Sequence, residues 1–210
     1  MAFGPRLNYR LWRFLPITVV PGSTMPERTD DQLMLDYAAG NLAAFELLYS
    51  RHRGALYRFI LRQVNDAVTA NDLYQGCWEK IIKSRSRFQK GVPFQAWMFR
   101  IARNHVIDHF RRTRPESSDD IDQLTETGGG PEETLGEHQQ AEHLAGAIAQ
   151  LPEDQRETLL LRLESELDLQ TIANITGVKP ETAKSRLRYA TAKLQGLLNP
   201  AAGQVGGGHG

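Results

Sequence analysis

The stretch Leu167-Asp-Leu-Gln-Thr-Ile-Ala-Asn-Ile-Thr-Gly-Val-Lys-Pro-Glu-Thr-Ala-Lys-Ser-Arg-Leu-Arg-Tyr-Ala-Thr-Ala-Lys-Leu194 decides how the chain is read. It predicts two short helices joined by a tight turn. Gly177 ends the first, because the residue just past a helix end commonly takes a left-handed conformation that glycine tolerates best. Pro180 opens the second at a first-turn position, where its missing N–H removes no helical bond. Ala183, Leu187, Ala190, Leu194 and Leu197 then recur at steps of four and three, which is one buried helix face. Lys184, Ser185, Arg188 and Lys193 fall largely off that stripe, with Lys179 and Thr182 near the helix start. This is the layout of a helix-turn-helix whose second helix enters the major groove N-terminus first. A plain helical hairpin with a solvated basic face is the alternative.

Working outward, charge divides the chain sharply. Net charge is zero, yet residues 25–114 hold fifteen Lys and Arg against nine acids, and residues 115–150 hold nine acids with no Lys or Arg. Such segmentation points to a polyanion-binding part and an acidic connector. The connector also marks a domain boundary. Residues 115–138 have almost no periodic apolar content, and Gly128 to Gly130 followed by Pro131 cannot sustain a helix, so composition predicts a flexible tether. Composition likewise predicts a disordered tail over residues 200–210 and an extension outside the folded part over residues 1–24. Met25 offers an alternative start, and a membrane anchor is the less favoured reading of that extension.

The remaining segments read as helices. Leu33, Met34, Tyr37 and Ala38 form a first stripe, and Phe45, Leu48, Tyr49, Leu56, Phe59 and Ile60 a second. Ala70, Leu73, Cys77 and Ile81 form a third, and Phe94, Trp97, Met98, Ile101 and Ala102 a fourth. After the connector come Leu144, Ala147, Ile148 and Leu151, then Leu159, Leu160 and Leu163. No strand-type alternation is sustained. The expected fold is all-α: two small helical modules, residues 25–114 and 139–199, joined by a flexible acidic linker. Cys77 is the only cysteine, so an internal disulfide is excluded, and no apolar run approaches the ~18 residues that would span a membrane. His105 and His109 have metal-binding spacing, but the glutamate of a His-Glu-x-x-His motif and a third ligand are missing. No phosphate loop or nucleophile elbow is present, so neither an enzyme nor a cofactor is expected.

Residue identities carry the reading further. Residues 38–53 (Ala-Ala-Gly-Asn-Leu-Ala-Ala-Phe-Glu-Leu-Leu-Tyr-Ser-Arg-His-Arg), 93–112 (Pro-Phe-Gln-Ala-Trp-Met-Phe-Arg-Ile-Ala-Arg-Asn-His-Val-Ile-Asp-His-Phe-Arg-Arg) and 151–162 (Leu-Pro-Glu-Asp-Gln-Arg-Glu-Thr-Leu-Leu-Leu-Arg) resemble, in order, the extracytoplasmic-function (ECF) group of sigma-70 family RNA polymerase sigma factors. The likeness covers Asp30 to Leu198 apart from the tether. It implies an alternative sigma factor in the bacterial cytoplasm. The N-terminal module would recognise and melt the −10 promoter element, and the helix-turn-helix would read the −35 element. A stand-alone helix-turn-helix regulator is the second reading, but it leaves the N-terminal module unexplained.

The resemblance also assigns residues. For −35 reading these are Lys179, Glu181, Thr182, Lys184, Ser185 and Arg188. For −10 recognition they are Phe88, Lys90, Phe94, Arg100, Arg103, Asn104, Arg111 and Arg112. Aromatic and amide groups suit an unstacked base, and cations suit the displaced backbone. Core packing is the competing role for Phe94 and Trp97, and a solvated helix end for Arg111 and Arg112. Polymerase docking in the family uses an Asp-Leu-x-Gln-Glu-x-Phe pattern, which here reads Asp72-Leu-Tyr-Gln-Gly-Cys-Trp78. The matching positions are Asp72, Leu73 and Gln75, with Trp78 in place of phenylalanine and Glu79 following. Gly76 stands where an acid is usual, so an acid restored there is expected to strengthen docking. The implied partners are core RNA polymerase, promoter DNA and, as an open question, an anti-sigma factor, with no membrane insertion.

Overall fold

The computed structural model describes residues 28–113, 135–165 and 167–199, with the backbone alone over 135–141. The predicted extension over 1–24, most of the acidic tether and the tail over 200–210 lie outside the described residues. Eight α-helices run through the described chain: α1 (Asp30–Ala38), α2 (Leu42–Val64), α3 (Ala67–Ser84), α4 (Phe94–Thr113), α5 (Leu135–Ala149), α6 (Glu153–Glu164), α7 (Leu169–Thr176) and α8 (Pro180–Leu198). A 3₁₀ turn at Arg85–Arg87 leads into the loop before α4. Helix α5 begins at Leu135, four residues inside the stretch assigned to the tether.

Local side-chain caps set four of the helix starts. Thr29 and Gln32 form a reciprocal capping box at α1, with Gln32 N–H donating to Thr29 Oγ1 at 3.3 Å and Thr29 N–H to Gln32 Oε1 at 3.2 Å. Asn41, Asp66 and Asp168 cap α2, α3 and α7 in the same three-residue pattern. Hydrogen bonds from Thr69 hold the Asp66 carboxyl below the usual carboxylate range. Asn65 ends α2 in the left-handed region at φ 53°, and Gly177 ends α7 at φ 73°. Pro180 occupies the first turn of α8, as the sequence predicts.

Helix α4 is started differently. Its first N–H, on Phe94, donates to Asp31 Oδ1 of α1 at 2.6 Å, a cap supplied from 63 residues away. Beside it, Asp30 accepts from Arg51 at 2.7 Å and pairs with the buried His52 ring at 2.6 Å, and that ring lies 5.2 Å from Phe94. These contacts tie the start of α1 to α2 and to the entrance of α4. Asp31→Ala is therefore expected to cost about 0.5–2 kcal/mol, the range for a lost N-terminal cap. Urea melts would record it as a lower midpoint, and Asp31→Asn would recover most of the loss.

Helices α1–α4 enclose a core built on Leu33, Met34, Leu48, Leu56, Phe59, Ile60, Ile81, Met98 and Phe99, all fully buried. Phe59 and Phe99 meet edge to face at 5.3 Å, a favoured aromatic geometry. Helices α5–α8 bury Ile148, Leu160, Ile172, Ala183 and Ala190. One predicted core position differs: Leu163 is 55% exposed, while Leu161 is fully buried. Helix α6 packs against α2, α7 and α8 at once, so its buried arc is wider than one stripe.

The two helical groups also touch each other. Helix α2 packs against α5 and α6, and α4 packs against α7.

Candidate nucleic-acid interface

Helix α8 presents its N-terminal half outward. Lys179, Glu181, Thr182, Lys184 and Arg188 are exposed, and Ser185 is half-buried. The Ser185 hydroxyl lies 2.8 Å from Glu181 O and 3.1 Å from Thr182 O, donating along its own helix. Arg188 stacks on the Tyr189 ring at 4.9 Å and donates to its hydroxyl at 3.2 Å. Arg186, between them in sequence, turns inward to Asp154 of α6 at 2.9 Å and is no part of the open face. Ala183 and Ala190 are fully buried behind the face, with Leu194 nearly so, so α8 is held from one side only. Arg188→Ala is expected to weaken binding to a −35 duplex by about 1–3 kcal/mol and to relax preference at one base position. Anisotropy titrations against single-base variants of the duplex would show both effects; an equal loss on every variant would identify a phosphate contact instead.

The residues expected at the −10 element divide into three groups. Phe88 and Phe94 are buried, at 7% and 1% exposure, and pack against each other and against the half-buried Trp97. They back the loop before α4 and offer no open stacking face in this arrangement. Lys90, Asn104, Arg111 and Arg112 are exposed. Arg111 pairs with Asp108 at 3.0 Å, and Arg112 bonds the Asp108 carbonyl at 3.0 Å. Arg100 and Arg103 instead face the other helical group. Arg100 donates to Asn174 O and Arg103 to Thr176 O, both at 3.4 Å, at the carbonyl end of α7. Arg103 also pairs with Glu157 of α6 at 2.8 Å. Burial pushes the Glu157 carboxyl up against the opposing pull of Arg103, so much of the pair's attraction is offset by desolvation.

On α3, Asp72, Gln75 and Glu79 are exposed and share one face at helical spacing. Leu73 and Trp78 are each 5% exposed and sit beneath them. Trp78 packs in an aromatic cluster with Phe45, Tyr49 and Tyr74. Burial and the Tyr49 hydroxyl push the Tyr74 phenol far above its ordinary value. Of the residues expected to dock on polymerase, the polar members are therefore exposed and the apolar members lie beneath them.

Gly76 does not behave as expected from the family pattern. A Cβ there would lie 2.4 Å from His105 Nε2, so the imidazole of α4 fills the space a side chain would need. Its other nitrogen, Nδ1, accepts from Lys80 Nζ at 2.7 Å. A side chain at 76 requires the His105 ring to move before any charge there can act.

Burial, then Lys80, Arg112 and His109, hold the His105 imidazole below its ordinary value against the raising effect of Asp108. A depressed base binds its proton less readily when folded than when unfolded. Its contribution to stability is thus intact above the ordinary histidine pKa of about 6.5 and is lost as pH falls through the lower folded value. Denaturation midpoints measured from about pH 8 to about pH 5 should drop toward acid. The drop should flatten in His105→Gln.

Sequence reasoning missed Arg58, Arg62 and Glu164. Arg58 and Arg62 are four apart on α2, a legible spacing, but their carboxylate partner lies more than 100 residues away on α6.

An open helix-turn-helix beside a separate, cation-lined helical module defines a two-part DNA-binding protein. Residues 48–116 match the family model described as Sigma-70 region 2, and residues 142–194 match Sigma-70, region 4. The chain belongs to the sigma-70 family of RNA polymerase sigma factors, within its ECF group, and is an alternative sigma factor. The RNA polymerase sigma factor CarQ of Myxococcus xanthus is 30% identical over 74% of this chain and 89% of its own length. The ECF RNA polymerase sigma factor SigL of Mycobacterium tuberculosis is 30% identical over 75% of this chain and 90% of its own length. The solved structure of CnrH in complex with the cytosolic domain of CnrY shares the fold, with TM-score 0.63, 23% identity, and coverage of 82% of this chain and 98% of that one. So does the sigma factor RpoE bound to the anti-sigma factor NepR from Bartonella quintana, with TM-score 0.61 and 24% identity over 75% of this chain and 98% of that one.

Proposed function

We propose that this sigma factor directs core RNA polymerase to promoters through two surfaces that must act at a distance from each other. Residues 25–114 take the −10 element, with Lys90, Asn104, Arg100, Arg103, Arg111 and Arg112 along the DNA and the loop backed by Phe88 and Phe94 holding an unstacked base. Residues 139–199 take the −35 element through the N-terminal half of α8. Asp72, Gln75 and Glu79 face the polymerase. The observation that carries this reading is the open face of α8, whose base-reaching side chains are exposed while Ala183 and Ala190 are buried behind them.

The setting is the bacterial cytoplasm, where polymerase and promoter DNA are found. No helix among the described residues is long and apolar enough to cross a membrane. An anti-sigma factor is a natural partner, because solved relatives of the same fold carry one.

The test is transcription from genomic fragments by purified protein with core polymerase. Discrete transcripts sharing spaced −10 and −35 sequences are expected. Tight duplex binding by the protein alone with no polymerase-dependent transcripts would favour a stand-alone regulator.

A further inference from the structure

The contact between the two modules has an unusual chemistry. Glu164 is the last residue of α6, where the negative end of the helix dipole disfavours a carboxylate. Its side chain is only 4% exposed, and a buried carboxylate is costly unless cations meet it. Two do: Arg62 Nη1 at 2.7 Å from Oε1 and Arg58 Nε at 2.9 Å from Oε2, one turn apart on α2. Gly54, one turn earlier, leaves room for the Arg58 guanidinium, which lies 3.1 Å from where a Cβ would stand. Glu164 is thus disfavoured at the end of its own helix and is met by cations of the other module.

The neighbouring contacts repeat the pattern. Arg100 and Arg103 on α4 meet the carbonyl end of α7 and the Glu157 carboxylate. Helix α4 packs beside α2, so the four arginines belong to the same side of the N-terminal module that faces the second module. Among the described residues, the groups they bond are carboxylate and carbonyl oxygens. Arginine forks match carboxylate and phosphate oxygens with the same geometry.

We propose that Arg58 and Arg62 form a phosphodiester clamp for promoter DNA, and that Glu164 occupies this clamp as an intramolecular stand-in for phosphate while the modules are closed. The clamp extends the α4 cation track onto α2. Promoter DNA and the C-terminal module compete for it, so apparent DNA affinity is lowered by the fraction of closed protein. This rests on the reading of residues 25–114 as the DNA-opening module.

The test uses the full chain and a fluorescein-labelled single-stranded oligonucleotide of mixed sequence, with anisotropy titrations over a range of salt. Glu164→Gln keeps the shape and removes the charge. It is expected to bind the oligonucleotide about tenfold more tightly than the parent protein, as a competing occupant is removed. Adding Arg58→Ala and Arg62→Ala to E164Q should abolish that gain and reduce the slope of log affinity against log salt by about 1. The arginines are removed in the E164Q background because in the parent protein their loss would also strand a buried carboxylate. Circular dichroism establishes that each variant is folded.

Equal affinities for E164Q and the parent would overturn the stand-in role. Equal affinities and salt slopes for E164Q and the triple variant would overturn the clamp. Polymerase-dependent transcription by the parent protein reports separately on the sigma-factor reading. Its failure would leave the oligonucleotide results to judge the clamp alone.

Discussion

Phe94→Ala is expected to be the most damaging single truncation near the candidate site, costing about 3–5 kcal/mol, the range for removing a buried phenylalanine. The ring is 1% exposed and meets Phe88, Trp97 and His52. Its own N–H carries the Asp31 bond that starts α4. The cavity would therefore open where the loop, α1 and α4 are joined. Natural domains hold only about 5–15 kcal/mol in reserve, so the N-terminal module would lose a large share of its stability. Thermal melts should show a midpoint lowered by roughly 4–8 °C per kcal/mol for a module of this size. Phe94→Leu should recover much of the stability by refilling the space. If base stacking were the main role of Phe94, the alanine variant would melt normally and fail only in promoter opening.

Asp72→Lys is expected to have the largest effect on polymerase binding. Truncating one partner of a buried interfacial charge pair costs about 2–5 kcal/mol, and reversing the sign adds repulsion. Each 1.4 kcal/mol is about tenfold in affinity, so core binding should weaken by roughly two to three orders of magnitude. Asp72 is exposed, so the substitution should leave the melting midpoint of the free protein nearly unchanged. Affinity for core polymerase at two salt concentrations is the measurement. An unchanged affinity would place the docking surface away from the exposed face of α3. Gly76→Glu, which adds charge one turn from Asp72, is a poor counterpart because the His105 ring occupies its space.

Much of this architecture is legible without coordinates because its signals are short in range. A helical stripe repeats within one or two turns, and a cap bonds a backbone N–H three residues ahead. That is why the stripes from Leu33 to Leu194, the stop at Gly177 and the start at Pro180 could be read directly. The open face of α8 follows from the same periodicity, since residues off the apolar stripe must point elsewhere. Family likeness supplied residue roles that periodicity cannot, but it could not say which of those side chains are buried. The likeness assigns roles to Phe88, Phe94, Leu73 and Trp78, yet all four side chains are buried.

By itself the sequence determined the helices of two modules, the helix-turn-helix and its exposed basic face, because each depends on neighbours within about one turn. Only the tertiary structure decided that Asp31 starts α4, that His105 fills the space at Gly76, and that Glu164 sits between Arg58 and Arg62. Each of these contacts joins residues on different helices. They depend on the rotation and closeness with which one helix packs on another, and no local period encodes either.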